Sequence, residues 1–514
     1  MKHFTLYFLV FFLLSNLSFG QKKANYKSEI KQLDKYCQSI IASWEVPSMT
    51  VGIVKDGELI FSKGYGTKEE GGKEVPNKNT LYAIASISKG FTATIIGQLV
   101  DEGKLHWDDK IVDYIPYFAV YDPYISQMIT VKDILSHRVG LGTFSGDIMW
   151  YQSDYTSKEI IERIKYVDQS FELRDGFGYS NLMFITAGEL IKTVTGKSWG
   201  ENVQERILDP LGMDRTIYSL KELDKKGNYA TPHMLIDNTV NKPIEWTSWE
   251  EIAATGGLIS SVEDLSKWLT FNMNNGIIGE DTLMTASTRN TIWKLQNVYT
   301  SDLTKAKVNT HFSGYGLGWG IKDYHGKMRV SHSGGYDGMI TMVTMIPDEN
   351  LGVIVLTNGL KSPISAASNY AVDLFMGLDE IPDYSSKYLQ YSNDRYKNDH
   401  RIKDIENSKV EGTKPTLDLT SYEGVYHSDL NGDITVRLKD GNLTIEFEHQ
   451  NMLNAKLTHW NYDTFKMEWY RQSPWFTLGT VKFDTDNQNK IIGLSFDVPN
   501  NDFYFNEIKA KRIQ

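Results

Sequence analysis

A single cysteine, Cys37, stands in a chain of 514 residues. An internal disulfide is excluded, and with it cysteine-built zinc sites, thiol catalysis and a lipid anchor on a cysteine beside a cleavage site. Cys37 shares one face of an amphipathic helix with Ile30, Leu33, Ile40, Ile41 and Trp44, the setting of a small core residue. Positive charge is also short, with 54 Lys and Arg against 65 Asp and Glu and a net charge of −11. No basic patch offsets that balance, so a nucleic-acid partner is not expected. After the first twenty residues, no segment has the length and apolarity of a membrane helix. Hydrophobic content of 41% with 23% charged residues fits a folded globular chain with room for a large core and an appendage.

Residues 1–20, MKHFTLYFLVFFLLSNLSFG, read as a signal peptide: a short positive start, an apolar run too short to span a bilayer comfortably, and small residues at Ser18 and Gly20. The expectation is an exported protein, periplasmic or secreted, with no stable membrane insertion once the leader is removed.

The stretch SMTVGIVKDGELIFSKGYG has the alternation of a hairpin turning at Asp56-Gly57. GFTATIIGQLV is apolar on every side and predicts a helix buried all round. From there to about residue 300 the signals are mainly helical. MRVSHSGG, GMITMVTMIP and LGVIVLTNG then predict three successive strands, and ISAASNYAVDLFMG a closing helix. Early and late strands belong in one sheet, with a cleft between it and the helical insertion. The fold class is α/β (α+β): an antiparallel sheet flanked by helices, a mostly helical insertion, and a small all-β barrel. Residues 21–378 form the main unit. Residues 379–413, polar and tyrosine-rich, read as a linker, and residues 414–514, with short alternating runs and turns at Asp440-Gly441 and Asp486-Asn487, read as the barrel.

Three sets of residues could carry chemistry. Ser86 and Lys89, in ASISKGFTA, lie one helical turn apart at the head of the buried helix. A hydroxyl there sits near unpaired backbone N–H groups, and an amine in an apolar setting is disfavoured as a cation and can take a proton. The only other Ser-x-x-Lys, Ser28 with Lys31, sits in a solvated charged segment. Tyr179-Ser180-Asn181 falls just ahead of another apolar helix, where the phenol could move a proton and Asn181 could hold a substrate amide or carbonyl. His332-Ser333-Gly334-Gly335 is the only His-x-Gly among 11 histidines. On an edge strand it would put a base beside the cleft, with glycine allowing close backbone approach. Gly196-Lys197-Ser198-Trp199-Gly200 fits a nucleophile elbow, but the segment before it is helical, so Ser198 is read as a helix cap.

Ser-x-x-Lys, Tyr-x-Asn and [Lys/His]-x-Gly in this order resemble the serine beta-lactamase and penicillin-binding-protein superfamily, and more closely its class C beta-lactamase-like branch of esterases and D-amino-acid peptidases. ITVKDILSHRVGL (129–141), ILDPLGMDRT (207–216) and ATGGLISSVEDLSKW (254–268) support the likeness over about residues 30–377. The tail from SYEGVY is similar to lipocalin-like modules attached to some members. The resemblance implies a beta-lactamase/transpeptidase-like fold, with Ser86 as acylating nucleophile, Lys89 as its proton partner and Tyr179 as acid/base. It also implies Asn181, Gly334 and Gly335 as substrate-binding residues, His332 in place of the strand lysine, and an oxyanion hole from the N–H groups of Ser86 and Gly335. Whether Lys89 or Tyr179 removes the first proton stays open. The chain has no Lys-[Ser/Thr]-Gly, and a histidine near neutrality is a weaker, pH-dependent partner for a carboxylate.

The expected function is an exported serine hydrolase that cleaves ester or amide bonds of small acyl or peptide substrates through an acyl-enzyme. The alternatives are a catalytically weak penicillin-binding or ligand-sensing protein, or a true beta-lactamase. The barrel could also block or shape the cleft. No metal or organic cofactor is called for, and the oligomeric state is open.

Overall fold

The computed structural model describes residues 26–299 and 310–514. The leader expected at residues 1–20 lies outside the described residues.

Helix α1 (Lys27–Trp44) buries Leu33, Cys37, Ile40 and Trp44. It is followed by the hairpin β1 (Ser48–Lys55) and β2 (Glu58–Gly66). The turn places Asp56 at φ 54° and Gly57 at φ 80°, the left-handed pair whose twist matches that of the flanking strands. Two buried helices belong to the excursion that follows, α2 (Ser88–Asp101) and α3 (Asn181–Thr195). The chain then enters α4 (Val262–Met273) and returns to strands β3 (Asn297–Val298), β4 (Ser313–Tyr315), β5 (Gly320–Tyr324), β6 (Lys327–Tyr336), β7 (Met339–Ile346) and β8 (Leu351–Thr357). Helix α5 (Ile364–Phe375) closes the unit.

All eight strands form one sheet in the order β2-β1-β8-β7-β6-β5-β4-β3, so early and late strands pair as expected. The adjacent strands β1 and β8 are buried along their whole length, consistent with their Val and Ile runs. On one face Leu33, Cys37, Ile40 and Trp44 of α1 pack with Ala367 and Ala371 of α5 against Val51, Ile53, Val353 and Val355. The other face carries α4 and the insertion. A Cβ on Gly52 would come 2.3 Å from Val262 Cγ1, so the glycine is what lets α4 lie directly on β1.

One strand expectation is corrected. β6, which bears His332, is an interior strand between β5 and β7. The glycine-rich stretch 314–320 hides the short strands that extend the sheet beyond it. Ser86 likewise sits on a single 3-10 turn, Ala85–Ile87, immediately before α2 rather than on α2 itself. Ser198 caps the helix Trp199–Val203 in a reciprocal box with Glu201, which removes the elbow reading.

Two helices, α6 (Tyr384–Asn398) and α7 (Arg401–Asn407), lead to a closed barrel of eight strands. Its strands are β9 (Gly424–Ser428), β10 (Gly432–Lys439), β11 (Asn442–Phe447), β12 (Ala455–Asn461), β13 (Thr464–Trp469), β14 (Thr480–Thr485), β15 (Ile491–Asp497) and β16 (Ala510–Arg512). The inside is filled by Tyr426, Ile434, Val436, Ile445, Phe465 and Phe483, as suits a barrel of this strand number.

The barrel docks on residues 145–155 of the insertion. Gln450 Nε2 donates to the carbonyls of Ile148 (2.6 Å) and Tyr151 (3.0 Å). The Tyr151 ring lies 4.1 Å from that of Phe503. Glu507 accepts from the N–H of Gly146 at 2.7 Å and from the Ser145 hydroxyl. Buried apolar side chains run without a break from the insertion into the barrel.

Candidate active site

The nucleophile candidate is held in a strained turn. Tyr82–Ala83 pair with Ile259–Ser260, and Ile84 N–H donates to Leu258 O at 2.9 Å. Ala85 then takes φ 44°, a left-handed conformation that is uncommon for a residue with a Cβ and costs about 1–3 kcal/mol. The turn swings Ser86 outward: residues 81–85 and 87–90 are buried and Ser86 alone is partly open. A Cβ on Gly334 would lie 2.1 Å from Ile84 O, so only glycine lets β6 press against this turn.

Lys89 is fully buried. Its Nζ lies 3.0 Å from Ser86 Oγ, 2.8 Å from Asn181 Oδ1 and 2.8 Å from Thr255 O. Burial drives its pKa well below that of a free lysine, and the nearby Asp147 only partly opposes this. The Asn181 amide is oriented by Asp147, whose Oδ2 accepts from Nδ2 at 2.6 Å, and by Thr255 Oγ1, which donates to Oδ1 at 2.8 Å. Asp147 also accepts from Trp150 Nε1 at 2.8 Å. Burial raises its own pKa to about 8 against the bonds from Trp150 and Asn181.

The Tyr179 phenol faces the Ser86 side chain, which lowers its pKa, but burial outweighs this and keeps it protonated far above the usual tyrosine range. Its backbone is clamped by Thr143 Oγ1, which accepts from Tyr179 N–H at 3.1 Å, and by Phe144 N–H, which donates to Tyr179 O at 2.8 Å. The Lys89 Nζ sits 4.8 Å from the Tyr179 ring centre. His137 packs its ring 4.3 Å from that of Tyr179 and accepts from Ser180 N–H at 3.0 Å through Nδ1.

His332 is one layer further out. Its Nδ1 lies 2.6 Å from Ser333 O and its Nε2 2.7 Å from the Tyr315 hydroxyl. A backbone carbonyl can only accept, so Nδ1 carries the proton and Nε2 accepts from Tyr315. The ring centre is 6.2 Å from that of Tyr179. Burial, then the neighbouring Lys89, lower its pKa to about 3. The near-neutral titration expected of this histidine is thus corrected: it is uncharged throughout the physiological range.

Ser86, Lys89, Tyr179 and Asn181 therefore meet in direct contact, Gly334 abuts their turn, and His332 joins them through Tyr179 and Tyr315. Sequence reasoning gave no role to Asp147, Thr255, His137 or Tyr315. His137 and Thr255 lay inside phrases already noted for their family likeness, while Asp147 and Tyr315 carried no local signal. Among the described residues no cluster of His, Cys, Asp or Glu could hold a metal ion.

The family model described as Beta-lactamase matches residues 33–375. The chain belongs to this family of beta-lactamase and transpeptidase-like serine hydrolases. Residues 408–512 match a domain of unknown function, DUF3471. Unguisins hydrolase ungD′ of Aspergillus campestris (strain IBT 28561) is 31% identical over 348 residues, covering 64% of this chain and 60% of that protein. Protein flp of Staphylococcus aureus (strain N315) is 27% identical over 342 residues, covering 64% and 63%. The chain thus spans under two thirds of the length of both relatives. Among solved structures, the octameric penicillin-binding protein homologue from Pyrococcus abyssi aligns with a TM-score of 0.61 at 22% identity, over 92% of this chain and 98% of that one. The share is too large for the sheet unit alone, so the likeness in fold reaches into the barrel of this beta-lactamase family member.

Proposed function

We propose that this chain is a serine hydrolase that cleaves ester or amide bonds of small acyl or peptide substrates through an acyl-enzyme on Ser86. The contact set around Lys89 carries the reading. A neutral amine has two N–H donors and one lone pair. Asn181 Oδ1 and Thr255 O, each at 2.8 Å, are acceptors only and take the two donors. The lone pair is left facing Ser86 Oγ at 3.0 Å, where it can receive the hydroxyl proton. Lys89 is then the base and Asn181 its positioning residue. Tyr179, protonated and facing Ser86, is the acid.

The serine oxygen attacks the substrate carbonyl while its proton passes to Lys89. The backbone N–H groups of Ser86 and Gly335 receive the oxyanion. The bond to the leaving group breaks as Tyr179 hands that group a proton, and Lys89 returns one to Tyr179. Water then attacks the acyl-enzyme with the same groups acting in reverse, releasing acid and free Ser86. His332 has no charge to offer a substrate carboxylate, and the chain has no Lys-[Ser/Thr]-Gly, which favours uncharged acyl groups over penicillin-type substrates. Export remains a proposal resting on the leader-like first twenty residues. Among the described residues no helix is long and apolar enough to cross a membrane.

The direct test is a panel of short acyl esters, D- and L-aminoacyl amides and a cephalosporin, with intact mass recorded after brief exposure to each. Turnover of at least one ester or amide with an acyl adduct on Ser86 is expected; turnover without any Ser86 adduct would reject the mechanism.

Two further outcomes separate the partners. Asp147→Asn leaves one of two donors, Asn181 Nδ2 or Trp150 Nε1, without an acceptor, and kcat should fall about tenfold. Asp147 holds the Lys89 pKa up only where its own carboxyl is ionised, above about pH 8, so at lower pH the substitution removes no charge. An acidic limb of kcat/KM falling below about pH 8 should therefore stay in place, the loss in kcat coming from the broken hydrogen bond alone. His332→Gln should leave the limbs of the same profile between pH 5 and 9 in place, because a ring titrating near 3 is already neutral there. A limb that moves with His332→Gln would make the histidine a titrating partner after all.

A further inference from the structure

The barrel reaches back over the candidate active site. Ser333 and Gly335 lie on the outward face of β6, opposite His332 and Gly334. The indole of Trp475, on the loop between β13 and β14, comes 3.9 Å from where a Cβ on Gly335 would stand. Its Nε1 donates to the buried Asp337, two residues further along the same hairpin. On the other side of the turn that bears Ser86, a Cβ on Gly256 would lie 2.7 Å from Trp249 and 3.4 Å from the backbone of Ala85.

Between these two indoles the rings form a continuous chain. Trp249 lies 5.5 Å from Trp150, Trp150 5.9 Å from Phe503, and Phe503 6.3 Å from Trp475. Tyr336, adjoining Gly335, extends it at 5.2 Å from Trp249. Trp150, Tyr336 and Phe503 are buried, whereas Trp475 and Trp249 are only half-buried. Trp475 thus stands beside Gly335, and Trp249 beside Gly256, which adjoins Ala85 next to Ser86. Half-open tryptophan on an otherwise packed aromatic chain leaves apolar surface for a ligand to cover. None of the five rings is paired with Tyr179, whose aromatic neighbours are His137, Phe144, Tyr315 and His332. The leaving group departs toward Tyr179 in the proposed reaction, which leaves these rings available to the acyl group.

We propose that Trp475, supplied by the barrel, and Trp249, supplied by the catalytic unit, form the two walls of an acyl pocket that takes an uncharged aromatic or branched aliphatic group, so that the barrel is part of the substrate site. The inference rests on the acyl-enzyme reading above and adds the substrate class to it.

The experiment compares p-nitrophenyl 3-phenylpropanoate with p-nitrophenyl acetate, which share a leaving group. The full chain should show at least about a tenfold higher kcat/KM on the phenylpropanoate, and in Trp475→Ala the ratio between the two esters should fall about tenfold. Trp475→Phe keeps a ring over Gly335 without the bond to Asp337 and should hold the ratio within about threefold. No preference in the full chain, an unchanged ratio in Trp475→Ala, or equal loss in both variants would overturn the pocket. Calorimetry with Ser86→Ala and 3-phenylpropanamide against acetamide gives a readout without turnover. If neither ester is cleaved but the phenyl compound binds tighter and loses that advantage in Ser86→Ala/Trp475→Ala, the pocket stands and the hydrolase reading falls. If both esters are cleaved at a ratio that Trp475→Ala does not move, the hydrolase reading stands and the pocket falls.

Discussion

Ser86→Ala should lower kcat/KM on any substrate of this chain by about 10³-fold or more and abolish labelling by a fluorophosphonate, with the folded state unchanged. The side chain is partly open and touches its neighbours through the hydroxyl alone, so its removal opens little space in the core. What disappears is the atom proposed to form the covalent intermediate; a residual rate from the oxyanion N–H groups and binding alone is expected to remain. The strain at Ala85, with φ 44°, is untouched by the change, so the thermal midpoint should stay within a degree or two. A variant that keeps within about tenfold of the parent rate would place the covalent chemistry elsewhere. A variant that loses activity together with several degrees of stability would mean that the hydroxyl is structural, holding Tyr179 and Lys89 in place.

The part of this site legible in the sequence is the part that local spacing sets. Ser86 and Lys89 are one turn apart, and an all-apolar helix after them implies a buried amine; the structure has both. The hairpin at Asp56-Gly57 and the three strands from residue 327 were legible because alternation and turn residues are short-range signals. The edge position of the His332 strand was misread because β4 and β5 are three and five residues long and rich in glycine, too short to show a period. The state of His332 was misread for another reason: the residue type supplies a starting pKa near 6.5, whereas burial beside Lys89 moves it to about 3. Asp147 and Asn181 are 34 positions apart, and Glu507 and Gly146 are 361 apart. Contacts at such separations leave no trace in local pattern. Trp475 was invisible to sequence reasoning on the same ground, since nothing in RQSPWFTLG says which surface the loop will meet.

Lys89→Met separates the amine from the hydroxyl. Methionine is unbranched and of similar volume, so the fully buried channel stays filled. Two effects on stability oppose each other. Thr255 O loses its donor and Asn181 Oδ1 keeps only Thr255 Oγ1, at a cost of about 1–3 kcal/mol for the orphaned carbonyl. Against that, an amine held far below its ordinary pKa by burial is itself an unfavourable guest, and its removal offsets much of the loss. The net shift in the thermal midpoint should therefore be small, while kcat/KM falls about 10²- to 10⁴-fold, the usual range for losing a positioned general base. Ser86 and Tyr179 still face each other in this variant, so a fluorophosphonate should still label Ser86, slowly and with a rate that rises steadily with pH as hydroxide replaces the amine. In the parent chain the labelling rate should level off once Lys89 is neutral. Parent and variant rates that agree within about threefold at every pH would remove Lys89 from the chemistry and leave Tyr179 as the first base.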